Sequence, residues 1–564
     1  MYLYLKNCLG EVGNKIHILV LLAIMTGVLE SIGILTIAPL MESVGSISEG
    51  EVDLLWLPAK LVEVKNEIGE TSFYAMAIGF IFLLKGVGVF LLQNMIAVIK
   101  SEYGWKMRDS IYRRYVNTPY ESSLTRNIKS SHRVNLATEQ VTRAALSLHH
   151  FSQAVILSCK FLLLISSSIY ANVTAGLISI FFGVIVFSLL TPLRSYVSKI
   201  SHKHALMGID FSSRIAEIFN HEKYLKANNI SNTVGGKVFT GNKALQSNER
   251  NLGFANAITS SIKEPIAISM VAIFFIVFEG GSQIYTATAS LLLMYRATIS
   301  AFGVQKNIQN GMEYSGSIQI LKKELYVESL DDKVIGVKVD PSVSINSIVV
   351  SNLSFGYKKD SLLLEKVNVN LSKGRLIALI GQSGSGKTTM LDVMSGLLSS
   401  NTGTCNLMTD DGQLKLVNSE FVSYLTQSPA LMAGSMKENI SLLCQKPLDE
   451  ERVESYLSLF GLSAFIKDKK KNWKDYDIGY YGDNLSGGQK QRLCIIRHLM
   501  NPAPIMFFDE PTSALDGANE DKVFQCLQKL AKDSIIIVST HSEKIRDYCS
   551  VVYDFDSGEV INNV

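Results

Sequence analysis

The sequence predicts an α-helical membrane domain with six spans, followed by an α/β domain built around a phosphate-binding loop. Six long apolar runs lie before residue 305, and the stretch GQSGSGKTTM, residues 381–390, lies between a strand-like and a helix-like run. The composition agrees, since 47% of the residues are hydrophobic, only 19% are charged and the mean hydropathy is +0.20. A chain of 564 residues is also too long for one core.

Six apolar runs approach or exceed the length of about 20 residues that a helix needs to cross a bilayer. They are residues 16–41, 73–99, 145–170, 174–193, 265–278 and 284–304. The fifth run is the shortest, and Lys263-Glu264-Pro265 before it indicates either a helix start at the interface or a kink. No small-residue cleavage site closely follows the first run, so we expect no removable signal peptide.

Lysine and arginine are concentrated in two connecting segments, residues 100–144 and 194–264, whereas the segment between the first two runs has only Lys60 and Lys65 among many acidic residues. Positive charge stays on the cytoplasmic side, which places both termini and the second domain in the cytosol. Both basic segments are rich in helix formers, so we expect the helices to continue beyond the membrane. Each should end in a short helix, near residues 120–126 and 221–228, that docks close to Gln427.

Net charge and cysteine spacing limit the classes of protein further. The formal net charge is only +3, which gives no support for nucleic-acid binding. Seven cysteines are scattered without paired or metal-ligand spacing, as expected for reduced thiols in a cytosol-facing protein.

The stretch at residues 381–390 fits the pattern GxxxxGKT, in which backbone N–H groups wrap phosphates. Lys387 would neutralise the outer phosphates and the Thr388 hydroxyl would bind Mg²⁺. The predicted phosphate-binding residues are Gly381, Gln382, Ser383, Gly384, Ser385, Gly386, Lys387, Thr388 and Thr389. Residues 326–343 form a polar connector, so we place the transmembrane domain at 1–325, the linker at 326–343 and the nucleotide-binding domain at 344–564.

Two further motifs decide the class of phosphate chemistry. LSGGQ at residues 485–489 and IMFFDE at residues 505–510, in this order after the phosphate loop, closely resemble the ATP-binding cassette family. Six spans followed by one cassette resemble an exporter-type half-transporter, with the type I exporter fold. The resemblance implies ATP and Mg²⁺ as cofactors, ATP hydrolysis coupled to transport, and a multi-pass position in a bacterial inner membrane.

The resemblance also implies roles for individual side chains. Tyr357 is similar to the aromatic residue that stacks on adenine, and Gln427 to the glutamine that reaches Mg²⁺ and the attacking water. Asp509 resembles the acid that orients Mg²⁺, Glu510 the general base, and His541 the histidine that contacts the γ-phosphate.

In the family, the signature motif completes the ATP site of the opposite cassette, so a chain with one cassette must dimerise. The signature residues here are Ser486, Gly487, Gly488 and Gln489. The helix that begins after Ser486 would point its N–H groups at the γ-phosphate of the partner. Because the chain holds a complete residue set, we expect a homodimer with two competent sites.

The sequence departs from the family pattern in three places, which concern coupling rather than ATPase chemistry. Tyr480 lies near the position where exporters usually carry a glutamate. Pro511 follows Glu510 where alanine is commoner, and Thr540 and Ser542 flank His541 in place of the commoner serine and arginine.

The cargo is less constrained by the sequence. The first span contains an acidic residue, then a glycine, then a proline, at Glu30, Gly33 and Pro39. This pattern is similar to that of flippases of lipid-linked oligosaccharides. Exporters of peptides, flippases of the lipid A type and multidrug exporters share the architecture and stay open as alternatives. A regulatory or channel-type cassette protein is disfavoured, because such proteins often lose the catalytic glutamate or a signature glycine and this sequence keeps both. The spans exclude a soluble cassette protein that acts on DNA or ribosomes.

Four charged residues, Glu30, Lys85, Lys160 and Arg296, lie near the middle of predicted spans. A charge at that depth costs roughly 2.5–3.5 kcal/mol, so each is expected to face a partner or a wet cavity. Glu30 and Lys85 could pair, which would leave two cations without a carboxylate. We therefore predict a positive cavity, with Arg296 on its wall, for an amphipathic lipid with an anionic head group such as a pyrophosphate.

Overall fold

The structure is a computed structural model in which the chain forms two compact units. The first comprises Met1–Asn117 and Ile128–Ser329, and the second Thr118–Asn127 and Leu330–Val564. The residues that the structure describes are 13–44, 59–125, 130–277, 284–326, 344–358, 361–410, 412–415, 421–444, 446–468, 472–557 and 560–562.

The first unit is helical in all its described elements. Its helices are α1 (Gly13–Leu35), α2 (Ile37–Val44), α3 (Ala59–Ile68), α4 (Glu70–Asn117), α6 (Ser130–Asn135), α7 (Val141–Ala171), α8 (Val173–Asn220), α9 (Glu222–Ala227), α10 (Ser231–Ser261), α11 (Lys263–Val277) and α12 (Ile284–Tyr326). Helix α5 (Tyr120–Thr125) lies between α4 and α6 in the sequence but belongs to the second unit. A short π-helix, Leu136–Gln140, joins α6 to α7.

Six helical stretches in the described residues are long and apolar enough to cross a membrane, which confirms the predicted number of spans. They are Lys15–Val44, Glu70–Asn117, Ser130–Ala171, Val173–Asn220, Ser231–Val277 and Ala287–Leu325. Each contains or overlaps one predicted apolar run. The 48 residues of α4 rise about 72 Å, far more than the hydrocarbon thickness of about 30 Å, so the helix continues well beyond its apolar run as predicted.

A one-residue interruption of the helical stretch Ser231–Val277 lies just before the fifth predicted run. Backbone hydrogen bonds continue across it, because the Ile262 N–H donates to the Ile258 carbonyl and the Ile266 N–H donates to the Ile262 carbonyl. Helix α10 ends at Ser261 and α11 begins at Lys263, so the two are separated by Ile262 alone. Pro265 lies in the first turn of α11, where the missing N–H of proline costs no helical hydrogen bond. Residue 278, the last of the predicted run, lies outside the described residues.

Helix α12 packs closely against α7 and α8 because glycines lie at the contacts. A Cβ atom at Gly303 would lie 2.8 Å from the Leu157 side chain on α7. At Gly316 it would lie 2.7 Å from the backbone of His202 on α8. The Ser201 hydroxyl also donates to the Glu313 carbonyl at 2.6 Å, which joins the same two helices. Glycine is therefore required for the approach of the two backbones at residue 316.

The second unit contains two sheets. A four-stranded antiparallel sheet has the order β2-β1-β4-β5, and a six-stranded sheet has the order β10-β9-β3-β8-β7-β6 with only β10 antiparallel. The strands are β1 (Ile345–Phe355), β2 (Leu364–Ser372), β3 (Leu376–Ile380), β4 (Thr402–Thr409), β5 (Gly412–Lys415), β6 (Val422–Leu425), β7 (Ile505–Asp509), β8 (Ile535–Ser539), β9 (Val551–Asp554) and β10 (Val560–Asn562).

Helices accompany the six-stranded sheet along the sequence. They are α13 (Lys387–Met394), α14 (Met436–Ser441), α15 (Glu450–Leu459), α16 (Leu462–Asp468), α17 (Gly487–Met500) and α18 (Gly517–Leu530). Strands β3, β7 and β8 are buried along their whole length, as continuous apolar runs in a parallel sheet should be. Their carboxyl ends meet at one edge, which is where α/β sheets bind ligands.

Both short helices predicted in the basic segments are present. Helix α5 (Tyr120–Thr125) belongs to the second unit, where Glu121 accepts a hydrogen bond from the Ser399 backbone N–H at 3.1 Å. Helix α9 (Glu222–Ala227) belongs to the first unit. Residue 126, the end of the first predicted helix, lies outside the described residues.

Candidate functional site

The phosphate-binding loop lies between the end of β3 and the start of α13. Gly381, Gly384 and Gly386 have φ values of 146°, 86° and 100°, which side chains rarely permit. Gly386 is the residue before the first turn of α13, so the loop presents its N–H groups together with those of a helix start. Gln382 and Ser383 are exposed. This arrangement suits an anion.

The Lys387 ammonium contacts the backbone of this loop. Its Nζ donates to the carbonyl oxygens of Gly381 at 2.7 Å and Gln382 at 2.8 Å. Burial lowers the pKa of Lys387, and the nearby carboxylates of Glu510, Asp556 and Asp509 oppose that shift. Lys387 is therefore a buried cation that a phosphate could draw away from its carbonyl partners.

Thr388 and Asp509 bring two hard oxygen ligands together at the sheet edge. The Thr388 hydroxyl lies 3.1 and 3.0 Å from the two carboxylate oxygens of Asp509, which is the last residue of β7. Burial raises the pKa of Asp509, while hydrogen bonds from Ser539 and Thr388 act in the opposite direction. A hydroxyl and a carboxylate are ligands that Mg²⁺ prefers, so this donor set fits the ion that the family implies.

Glu510 lies between two polar side chains from neighbouring loops. The Gln427 amide donates to its Oε2 at 3.0 Å, and His541 Nε2 lies 2.9 Å from its Oε1. Glu510 has a φ of 46°, and its backbone N–H donates to the Ser539 carbonyl at 3.0 Å. The structure thus brings together the two residues predicted to act on the attacking water, Gln427 and Glu510, with His541, which is predicted to contact the γ-phosphate.

The signature motif begins helix α17 with a capping box. The Ser486 hydroxyl accepts from the Gln489 N–H at 3.4 Å, and the Gln489 side chain accepts from the Ser486 N–H at 2.8 Å. A Cβ atom at Gly488 would lie 2.8 Å from the Ala514 carbonyl oxygen, whereas Gly487 faces open space. Glycine at residue 488 therefore permits close contact between the start of α17 and the backbone at Ala514.

The Tyr357 ring is the last of the predicted nucleotide contacts. The side chain is 60% exposed, so its face is available for stacking. Its hydroxyl lies 3.3 Å from Thr389 Oγ1, which links the ring to the helix after the phosphate loop.

Sequence reasoning missed three residues that contact this site. Gln491 donates to the Glu510 carbonyl at 2.8 Å and accepts from the Ala514 N–H at 2.9 Å. The carboxylate oxygens of Asp556 accept from the Gln382 N–H at 3.0 and 2.9 Å. Ser539 donates to Asp509. A serine that ends an apolar strand was a visible signal, whereas nothing local distinguished Asp556.

In the first unit, the charges of the spans converge on Glu30, which is 6% exposed. Its carboxylate lies 3.2 Å from Lys85 Nζ, 3.4 Å from Lys160 Nζ and 3.9 Å from Arg296 Nη1. The expectation that two cations would lack a carboxylate is wrong, because all three share this one. Three cations still face a single carboxylate, so the cluster has an excess of positive charge.

Comparison with known proteins finds that the chain is similar to ABC transporters. A family model described as "ABC transporter" matches residues 364–513. The chain is 23% identical over 542 residues to "ATP-dependent lipid A-core flippase" of Psychrobacter cryohalolentis, which covers 90% of this chain and 86% of that protein. It is 26% identical over 507 residues to the protein of the same name from Francisella novicida, covering 86% and 83%.

Proposed function

We propose that this chain, which belongs to the ABC transporter family and couples ATP hydrolysis to transport, is a flippase that works as a homodimer. Its cargo is an amphipathic, anionic lipid or lipid-linked glycan. The membrane is a bacterial inner membrane with the cassette on the cytoplasmic side. The names of the relatives support a lipid cargo, and the group of cations around Glu30 supports its negative charge.

The residues of the nucleotide site divide the chemistry among them. The loop N–H groups and Lys387 bind the phosphates of ATP, and the exposed face of Tyr357 stacks on the adenine. Mg²⁺, when bound, neutralises charge on the phosphate oxygens, and Thr388, Asp509 and Gln427 would hold it. Glu510 takes a proton from the attacking water.

His541 and Gln427 orient the Glu510 carboxylate through the contacts at 2.9 and 3.0 Å, so the base is held before the water arrives. Helix α17, with Ser486 at its cap, completes the site of the second copy by directing N–H groups at its γ-phosphate. The retained Glu510 and signature glycines favour a hydrolysing transporter over a regulatory cassette protein.

The three cations around Glu30 indicate the chemical class of the cargo. Glu30 compensates only part of the positive charge of Lys85, Lys160 and Arg296. Charges inside a membrane domain normally mark a substrate pathway. The Arg296 side chain is 49% exposed, so its guanidinium can meet a ligand from the side opposite to Glu30. A guanidinium pairs with phosphate through two parallel hydrogen bonds, which favours a phosphate or pyrophosphate head group.

Arg296→Ala tests the proposal. It should abolish transport of a pyrophosphate-linked lipid in proteoliposomes and the stimulation of ATPase activity by that lipid, while basal ATP hydrolysis persists. Lys306→Ala, which removes an exposed cation from the same helix, is the control and should transport normally. Full transport by the Arg296 variant, or a cationic cargo, would contradict the anionic head group.

A further inference from the structure

Ser539 is a hydroxyl residue in a strand that is otherwise apolar. It is the last residue of β8, follows Ile535, Ile536, Ile537 and Val538, and has no exposed surface. In the sheet it lies directly beside Asp509 on β7 and Leu379 on β3. A buried hydroxyl costs free energy unless it is hydrogen-bonded, so its partners define what it does there.

Both hydrogen-bonding functions of this hydroxyl are used within the nucleotide site. Ser539 Oγ donates to Asp509 Oδ1 and accepts from the Glu510 backbone N–H at 3.3 Å. The same N–H donates to the Ser539 carbonyl at 3.0 Å. Because one proton and one lone pair are committed, the orientation of the hydroxyl is fixed by its neighbours.

We propose that Ser539 is a positioning residue for the divalent ion of the ATP site and acts through Asp509. The hydrogen bond to Oδ1 opposes rotation of the carboxylate and keeps Oδ2 at 3.0 Å from the Thr388 hydroxyl, where the ion would bind. Outer hydrogen-bond partners of this kind orient metal ligands in many proteins. The inference rests on the Mg²⁺–ATP site of the proposed function and is independent of the cargo.

Ser539 also supports the peptide that joins Asp509 to Glu510. Glu510 has a φ of 46°, in a region that is unfavourable for a side chain of its size. The carbonyl and hydroxyl of Ser539 hold its N–H. Removal of the hydroxyl leaves the carbonyl contact in place, so the main effect of Ser539→Ala falls on Asp509 and the ion.

Binding of Mn²⁺ to the full-length protein with a non-hydrolysable ATP analogue, followed by electron paramagnetic resonance, tests the role directly. Ser539→Ala should weaken Mn²⁺ binding about 10- to 100-fold, the usual effect of losing an outer hydrogen-bond partner. Affinity for the analogue without a divalent ion should stay at the wild-type value. Ser539→Thr keeps the hydroxyl and should recover most of the Mn²⁺ affinity.

Ser423→Ala is the matched control, because Ser423 is buried on β6 and its hydroxyl contacts His498 Nδ1 at 2.6 Å instead of an acid of the site. The proposal is overturned if Ser539→Ala binds Mn²⁺ as the wild type does, or if Ser423→Ala weakens it equally. If the alanine variant does not fold, Ser539→Cys, a weaker donor, replaces it under the same criteria. A wild-type protein that binds no Mn²⁺ with the analogue would instead refute the nucleotide site itself.

Discussion

Asp392 shows how burial changes the charge of a single residue. It lies on α13 and accepts a hydrogen bond from the Tyr424 hydroxyl at 2.9 Å. Burial raises the pKa of Asp392 to about 6, while the Tyr424 bond opposes the shift and Asp509 adds to it. Since this pKa lies above that of an unfolded aspartate, about 3.9, the stabilising effect of the neutral form is complete below about pH 4 and is lost as the pH rises through about 6.

Asp392→Asn should therefore raise the melting temperature at about pH 8, where the wild-type carboxylate is charged, and change it little at about pH 4. The amide keeps an acceptor for Tyr424, so the packing is preserved. Scanning fluorimetry of the full-length protein at both pH values measures the effect. Asp410→Asn, at an exposed aspartate, should show no such pH dependence. Equal shifts at both pH values would contradict the charge-based explanation.

Helix α12 depends on glycine at the point where it meets α8. At Gly316, a Cβ atom would overlap the backbone of Ser201 and His202 at 2.7 Å, and no side-chain movement can relieve that contact. Gly316→Ala should therefore destabilise the protein by roughly 1–3 kcal/mol, as overpacking typically does. Thermal unfolding in detergent measures the change.

Gly253→Ala in α10 is the control for Gly316→Ala. Apart from the neighbouring residues and backbone of its own helix, no atom of the described residues lies within 4 Å of a Cβ built at that position. The alanine should leave the protein as stable as the wild type or raise its stability by up to about 1 kcal/mol through helix propensity. If both substitutions have the same effect, close packing is not the reason for glycine at residue 316.

At the scale of the whole molecule, the proposed homodimer predicts how hydrolysis and assembly are linked. Glu510→Gln should leave ATP binding intact and reduce hydrolysis about 10²–10⁴-fold, because the water loses its base. Dimers with closed cassettes should then accumulate with ATP, as detected by cysteine crosslinking between two copies. Glu543→Gln, at an exposed acid paired with Arg546, should behave as the wild type. Hydrolysis at the wild-type rate by the Glu510 variant would exclude it as the base.

The sequence alone determined the features that depend on local pattern. Six apolar runs predicted the six candidate spans, because crossing a bilayer requires a continuous run of apolar residues. The glycines and the Lys387-Thr388 pair predicted the phosphate loop, since a glycine-rich turn before a helix presents several N–H groups to an anion. The two short helices at Tyr120–Thr125 and Glu222–Ala227 were predicted from the exporter-type layout that the sequence resembles.

Only the tertiary structure decided which distant residues meet. Glu30 contacts three cations from three other helices, and Ser539 and Asp556 contact residues of the nucleotide site that are 30 and 174 positions away. Periodicity describes which face of an element is buried but not which atom lies opposite, since that depends on strand order and helix packing. The charges could be counted from the sequence, whereas the carboxylate they share could not be identified without the fold.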